Sequence, residues 1–266
     1  MFGWLRGRRS AAFDPVWAPV LRRNVWQYAH LDDTQREHTY TVVARMAAGK
    51  HWEGGAGYAV TDEHRVTVSG VAALLTLGAG RPFDFPHLRT IILYPEAFYA
   101  APRDEEVSLL QDTYDPIFGE APGGRLGEAW DAGPVILSWA DVLETAREPG
   151  DGENLVLHEF AHHLDGLDGP IDGVPFIPNR DERHAWYEVT RVEYERLLEA
   201  AAGGRASLLD EYGATSPAEF FAVATECFFE RPHALRHEHP ELYAARTRYY
   251  RQSPDQWLPN QWLPDR

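Results

Sequence analysis

Apolar side chains along this chain recur mainly at intervals of three and four residues, the period that lines them up on one face of a helix. Between Pro15 and Ala48, Val16, Val20 and Leu21 mark one such face and Tyr40, Val43 and Met46 another, so two helices separated by the polar break at Leu31 to Thr34 are predicted. Gly54, Gly55 and Gly57 interrupt the pattern as a loop. Thr61 and Asp62 offer a cap for a helix whose apolar run reaches Leu77, where Gly78 and Gly80 stop it. Residues 90–94 and the run from Gly133 to Trp139 read as strands, and the Asp-, Glu-, Gly- and Pro-rich stretch 101–133 reads as loop.

The second half is more strongly patterned. Residues 140–148 predict a short helix, Pro149-Gly150-Asp151-Gly152 a firm break, and 153–164 a further helix. A long Gly- and Pro-rich loop from Gly166 to Pro178 leads to 180–202, an amphipathic helix laced with alternating charges. Residues 218–229 are apolar apart from Glu219, Thr225 and Glu226, which predicts a buried helix carrying two carboxylates. Glu226 lies seven residues past Glu219 and hence on nearly the same face, where it either orients a ligand histidine or makes a simple buried hydrogen bond. The tail repeats Gln256-Trp257-Leu258-Pro259 as Gln261-Trp262-Leu263-Pro264, either an irregular tail packed by its tryptophans onto the body or a cover for a groove.

Composition narrows the function. A chain of 266 residues with 44% hydrophobic and 12% aromatic residues buries a sizeable core. Its net charge of −16 argues against a nucleic-acid groove, which needs clustered Lys and Arg. Cys227 is the single cysteine, so an intramolecular disulfide and a thiolate-rich zinc site are both excluded. Arg6, Arg8 and Arg9 precede no apolar signal segment, and the most apolar stretch, Val71 to Gly80, is about half the roughly twenty residues of a membrane span. A soluble, cytoplasmic monomer with no membrane contact is expected.

Residues 157–165 read Leu-His-Glu-Phe-Ala-His-His-Leu-Asp, which sets His158 and His162 one helical turn apart with Glu159 beside them. Two imidazoles so spaced grip one zinc ion, and the adjacent carboxylate remains to take a proton from water. The surrounding positions Leu155, Val156, Phe160, Ala161 and Leu164 are apolar. Three ionisable groups in such a helix need a partner, which a metal supplies.

A third protein ligand is required. Asp168 stands where a metzincin places its third ligand, but that geometry needs glycine at position 165, occupied here by Asp165, and a methionine turn, whereas the methionines are Met1 and Met46. Glu182 lies twenty residues beyond His162, as in thermolysin-like enzymes, but in very polar surroundings. Glu219 belongs to the apolar helix. Spacing alone leaves it open between two roles, because Ser216-Pro217-Ala218-Glu219 is also a capping box.

Tyr212 to Phe221, a tyrosine seven residues ahead of Glu219 in Ala-Glu-Phe-Phe, resembles the third-ligand segment of the anthrax lethal factor catalytic domain and, more closely, of the Mlc titration factor A family. The second likeness covers most of the chain. It includes Trp52-Glu53-Gly54, Tyr94 to Phe98, Gly127 to Trp130, Gly133 to Trp139, Gly152 to Leu155, His158 to Asp165 and Tyr212 to Glu230. Where this chain has His163 the family often has glutamine, and His163 is read as a residue beside the site or on the surface.

Length and pattern predict a single domain over 1–266 with irregular tails at 1–12 and 252–266; the resemblance implies a mainly helical α+β fold of zincin type, with a catalytic core at about 88–230 and a small sheet next to the active-site helix. It further implies a gluzincin-type peptidase with one Zn2+ per chain, His158, His162 and Glu219 as ligands, Glu159 as general base and Tyr212 as the residue that meets the transition state. A peptide or protein is the implied substrate; the strand at Val135 to Trp139, with Val135 and Leu137, reads from the sequence either as a sheet edge on which an extended peptide adds or as an ordinary interior strand. The family's name also implies a binding role, sequestration of an Mlc-type transcriptional repressor.

Overall fold

The computed structural model describes residues 12–96, 133–149 and 152–260. The predicted loop at 101–132, the matched stretches Ala97-Phe98 and Gly127 to Trp130, and the second copy of the tail repeat lie outside the described residues.

The N-terminal region opens with a 3-10 turn, Pro15–Trp17, and a two-turn helix α1, Ala18–Asn24. Val25 takes an extended conformation (φ −128°, ψ 97°), and a second 3-10 turn, Trp26–His30, follows. The first predicted helix is therefore two short pieces and a bend. Helix α2, Asp33–Gly49, starts at a full capping box: Asp32 Oδ1 accepts the Gln35 N–H at 2.8 Å and Gln35 Oε1 accepts the Asp32 N–H at 2.9 Å.

Three parallel strands form a sheet in the order β1-β2-β3: His51–Gly54, Thr90–Tyr94 and Val135–Ser138. Glu53 lies opposite Ile92, and Ile92 opposite Ile136. Strand β2 matches its prediction, whereas β1 has no β-type run of its own and is a strand through its pairing with β2. Helix α3, Asp62–Leu74, ends three residues before Leu77. Ser138 ends β3 and its Oγ accepts the Asp141 N–H at 3.4 Å, so Trp139 begins helix α4, Trp139–Arg147.

Helix α5, Leu155–Asp165, packs against α3, α4 and β3 on one side and against α7, Pro217–Glu230, on another. Helix α6, Arg180–Ala202, has the predicted bounds. Helices α8, Pro232–Glu238, and α9, Pro240–Tyr250, complete the described chain before a last 3-10 turn, Pro254–Gln256. The core runs through all of these: Val156, Phe160, Phe220, Phe228 and Phe229 are fully buried with Leu74, Ile91 and Leu93. Trp257 packs against that core, the first of the two readings that the tail repeat allows. No helix among the described residues is long and apolar enough to cross a membrane.

Candidate metal centre

Two helix N-termini build the site. Asn154 caps α5, its Oδ1 accepting the Leu157 N–H at 3.1 Å, which starts the helix three residues before His158. Ser216 caps α7, its Oγ accepting the Glu219 N–H at 3.2 Å, with Pro217 at the first helical position. The other half of the expected capping box is missing. The Glu219 side chain does not return to the Ser216 amide but reaches across to α5.

There the donor atoms converge. His158 Nε2 is 2.9 Å from Glu219 Oε2, His162 Nε2 is 3.2 Å from His158 Nε2, and His162 Nε2 is 3.5 Å from Glu219 Oε2. Among the described residues these three form a group able to hold a metal ion. Ligand bonds of roughly 2.0–2.1 Å in tetrahedral array set neighbouring donors about 3.3 Å apart, so the triangle fits a zinc-sized ion.

The chemistry of the donors agrees. His158 Nδ1–H donates to Glu226 Oε1 at 2.7 Å, which leaves a lone pair on Nε2 aimed at a carboxylate that also offers only lone pairs. A cation must stand between them, either a proton or a metal. Burial disfavours charge on both groups. Even so, hydrogen bonds to Glu219 and Glu226 hold His158 well above the usual imidazole range, and those donated by His158 and His162 hold the Glu219 carboxyl at about 2.

The other expected residues are close by. Glu159 follows His158 on α5 and is 5% exposed. Tyr212, in the 3-10 turn Glu211–Ala214, has its ring centroid 6.0 Å from that of His158. The side chains of Val135 and Leu137 are buried in the core, so what β3 can offer a peptide is its main chain; no other described strand flanks it on the side away from β2. Asp168 and Glu182 are exposed and outside the donor group. His163 faces Phe160 rather than the ligands, and burial, then His162 and Lys50, lower its pKa to about 4.

The loop after α5 is tied to the same place. Asp165 Oδ2 accepts the Gly173 N–H at 2.7 Å, and Gly173, at φ +82°, lies so close to α7 that a Cβ there would stand 2.3 Å from the Pro217 carbonyl oxygen.

Sequence reasoning missed Asn154, Glu230, Trp26 and Gln27, which stand with Glu226 behind the donor group. Asn154 donates its own N–H to Glu226 Oε2 at 2.5 Å and its side-chain amide to Glu230 Oε1 at 2.8 Å. Trp26 and Gln27 donate to the same Glu230 at 2.8 and 2.7 Å. The available signal was a carboxylate at the end of an apolar helix, eleven residues past Glu219 and on the same face.

A His-Glu-x-x-His helix facing a glutamate on a second helix, in a mainly helical α+β fold, is the arrangement of a metallopeptidase-type site. The chain belongs to the glucose-regulated metallo-peptidase M90 family, whose model matches residues 2–251. It is 34% identical over 252 residues to the uncharacterized protein slr2042 of Synechocystis, covering 93% of this chain and 89% of that one. It is 32% identical over 232 residues to Mlc titration factor A of Serratia proteamaculans, covering 84% and 82%. With Mlc titration factor A of Klebsiella pneumoniae (strain ATCC 700721 / MGH 78578), the match is 30% over 261 residues, covering 94% and 91%.

Proposed function

We propose that this chain is a cytoplasmic zinc-dependent peptidase in which His158, His162 and Glu219 hold the ion. The observation that carries the reading is the convergence of two imidazole Nε2 atoms and one carboxylate oxygen, all within 3.5 Å of one another, from two separate helices. When bound, zinc supplies a Lewis acid that brings the pKa of a water molecule toward neutrality. Glu159 is the base that takes the proton of the attacking water and passes it to the leaving amine. The Tyr212 hydroxyl donates a hydrogen bond to the oxyanion that develops on the peptide carbonyl. The substrate lies extended along β3 and meets the main chain of Val135 to Leu137.

The test is metal content and peptide hydrolysis side by side. Glu159→Gln retains zinc and loses hydrolysis. Glu219→Ala keeps the Ser216 cap and loses zinc. Tyr212→Phe keeps zinc and loses roughly a hundredfold or more in turnover. Zinc retained by Glu219→Ala at wild-type level overturns the ligand assignment.

A second reading is favoured by the relatives' name, Mlc titration factor A: a regulatory binding protein that sequesters an Mlc-type repressor, with the metal site silent. Pull-down of such a repressor by the Glu159→Gln protein, with no peptide hydrolysis by wild type, is the outcome that favours this reading over the first.

A further inference from the structure

Helix α7 presents three glutamates to the metal helix. At 100° per residue, positions 219, 226 and 230 fall within about 20° of one direction, so they form a file along a single face. Glu219 is the member that reaches the donor triangle. Glu226 stands one step behind it, and both of its oxygens are engaged by N–H groups, Oε1 by His158 Nδ1 and Oε2 by the Asn154 main chain. Glu230 stands behind Glu226 and binds the Asn154 side chain. The Asn154 turn that starts α5 is thereby held by both carboxylates.

Glu230 is in turn held by the Trp26 indole and the Gln27 amide. These belong to the N-terminal 3-10 turn, 203 and 204 residues away in sequence. Glu226 and Glu230 are 6% and 2% exposed, so their hydrogen bonds act without competing water.

We propose that Glu226 is the positioning residue of the metal site and that Glu230, anchored by Trp26 and Gln27, holds the turn against which Glu226 works. The inference rests on the reading of His158, His162 and Glu219 as metal ligands. By accepting the Nδ1–H, Glu226 fixes the His158 tautomer and ring rotation so that the Nε2 lone pair faces Glu219 and His162. Only a carboxylate does this here. Its neighbours are two donors, and a glutamine has one acceptor oxygen and one NH2 group, which would oppose either the His158 or the Asn154 N–H.

The experiment compares wild type, Glu226→Gln and Trp26→Phe by zinc competition against a fluorescent chelator. Zinc-free melting temperatures and the visible spectra of the cobalt(II)-loaded proteins are recorded alongside. Glu226→Gln is expected to bind zinc roughly 10–100-fold more weakly and to show a changed cobalt spectrum. Trp26→Phe, which removes one donor to Glu230 far from the ion, weakens binding in the same direction by a smaller factor.

Zinc affinity of Glu226→Gln within twofold of wild type overturns the proposal, whether or not the melting temperature falls. Should Glu226→Gln fail to fold, unchanged zinc affinity in Trp26→Phe overturns it. A wild-type protein that binds no zinc, or a Glu219→Ala variant that binds it normally, refutes the ligand assignment itself.

Discussion

Replacing Arg246 with methionine is expected to stabilise the protein. Arg246 lies on α9 and is 0% exposed, its guanidinium carbon 4.7 Å from the Trp186 ring centroid and 4.6 Å from that of Phe221. None of its three guanidinium nitrogens has a hydrogen-bond partner among the described residues. Burial first, against weaker support from Tyr250, Tyr249 and Asp165, lowers its pKa from 12.5 to about 10. That shift corresponds to about 3 kcal/mol of unfavourable charge burial. Two cation–π contacts of about 1 kcal/mol each offset part of it.

The remainder, about 1–2 kcal/mol, is relieved when an unbranched apolar side chain of similar length takes the slot between the two rings. In a chain of this size the gain appears as a rise of roughly 3–6 °C in melting temperature, read by calorimetry with and without zinc. A fall in stability of about 1 kcal/mol or more would refute the reasoning, since it would mean that the rings, or a partner such as Asp165, stabilise the cation by more than its burial costs.

His163 should contribute to acid sensitivity. Its folded pKa of about 4 lies below the unfolded 6.5, so its contribution to stability is present above pH 6.5 and is lost as pH falls through about 4. His163→Gln, the residue the resembling family often carries, should therefore gain on wild type by about 2–3 kcal/mol between pH 7 and pH 4 in urea unfolding; a difference independent of pH would contradict this. Gly173→Ala places a Cβ 2.3 Å from the Pro217 oxygen at a positive φ, a combination expected to destabilise by about 2 kcal/mol or more. Zinc affinity should fall with it, because the start of α7 carries Glu219; an unchanged melting temperature would show that the loop gives way freely.

Much of the site was legible in one dimension, because its strongest signals are local. A helix turns 3.6 residues at a time, so His158 and His162 must share a face wherever the helix is placed, and Glu159 must stand beside them. Ser216-Pro217 likewise starts a helix in any context. The bounds of α6 and β2 followed from caps and pattern for the same reason. Strand β1 did not, because His51–Gly54 is extended only through the partner that β2 supplies.

What the chain alone could not decide was which of two uses Glu219 makes of its carboxylate, since a cap and a ligand ask for the same residue at the same spacing. The packing of α7 on α5 places that carboxylate 2.9 Å from His158, and it is this placement that favours ligation over capping. The same packing joins Glu226, Glu230, Asn154 and Trp26 into one hydrogen-bonded file, from segments as much as 204 residues apart. Local backbone geometry determines which residues share a helical face. Only burial of two such faces against each other determines which charges meet, and that is a property of the folded whole.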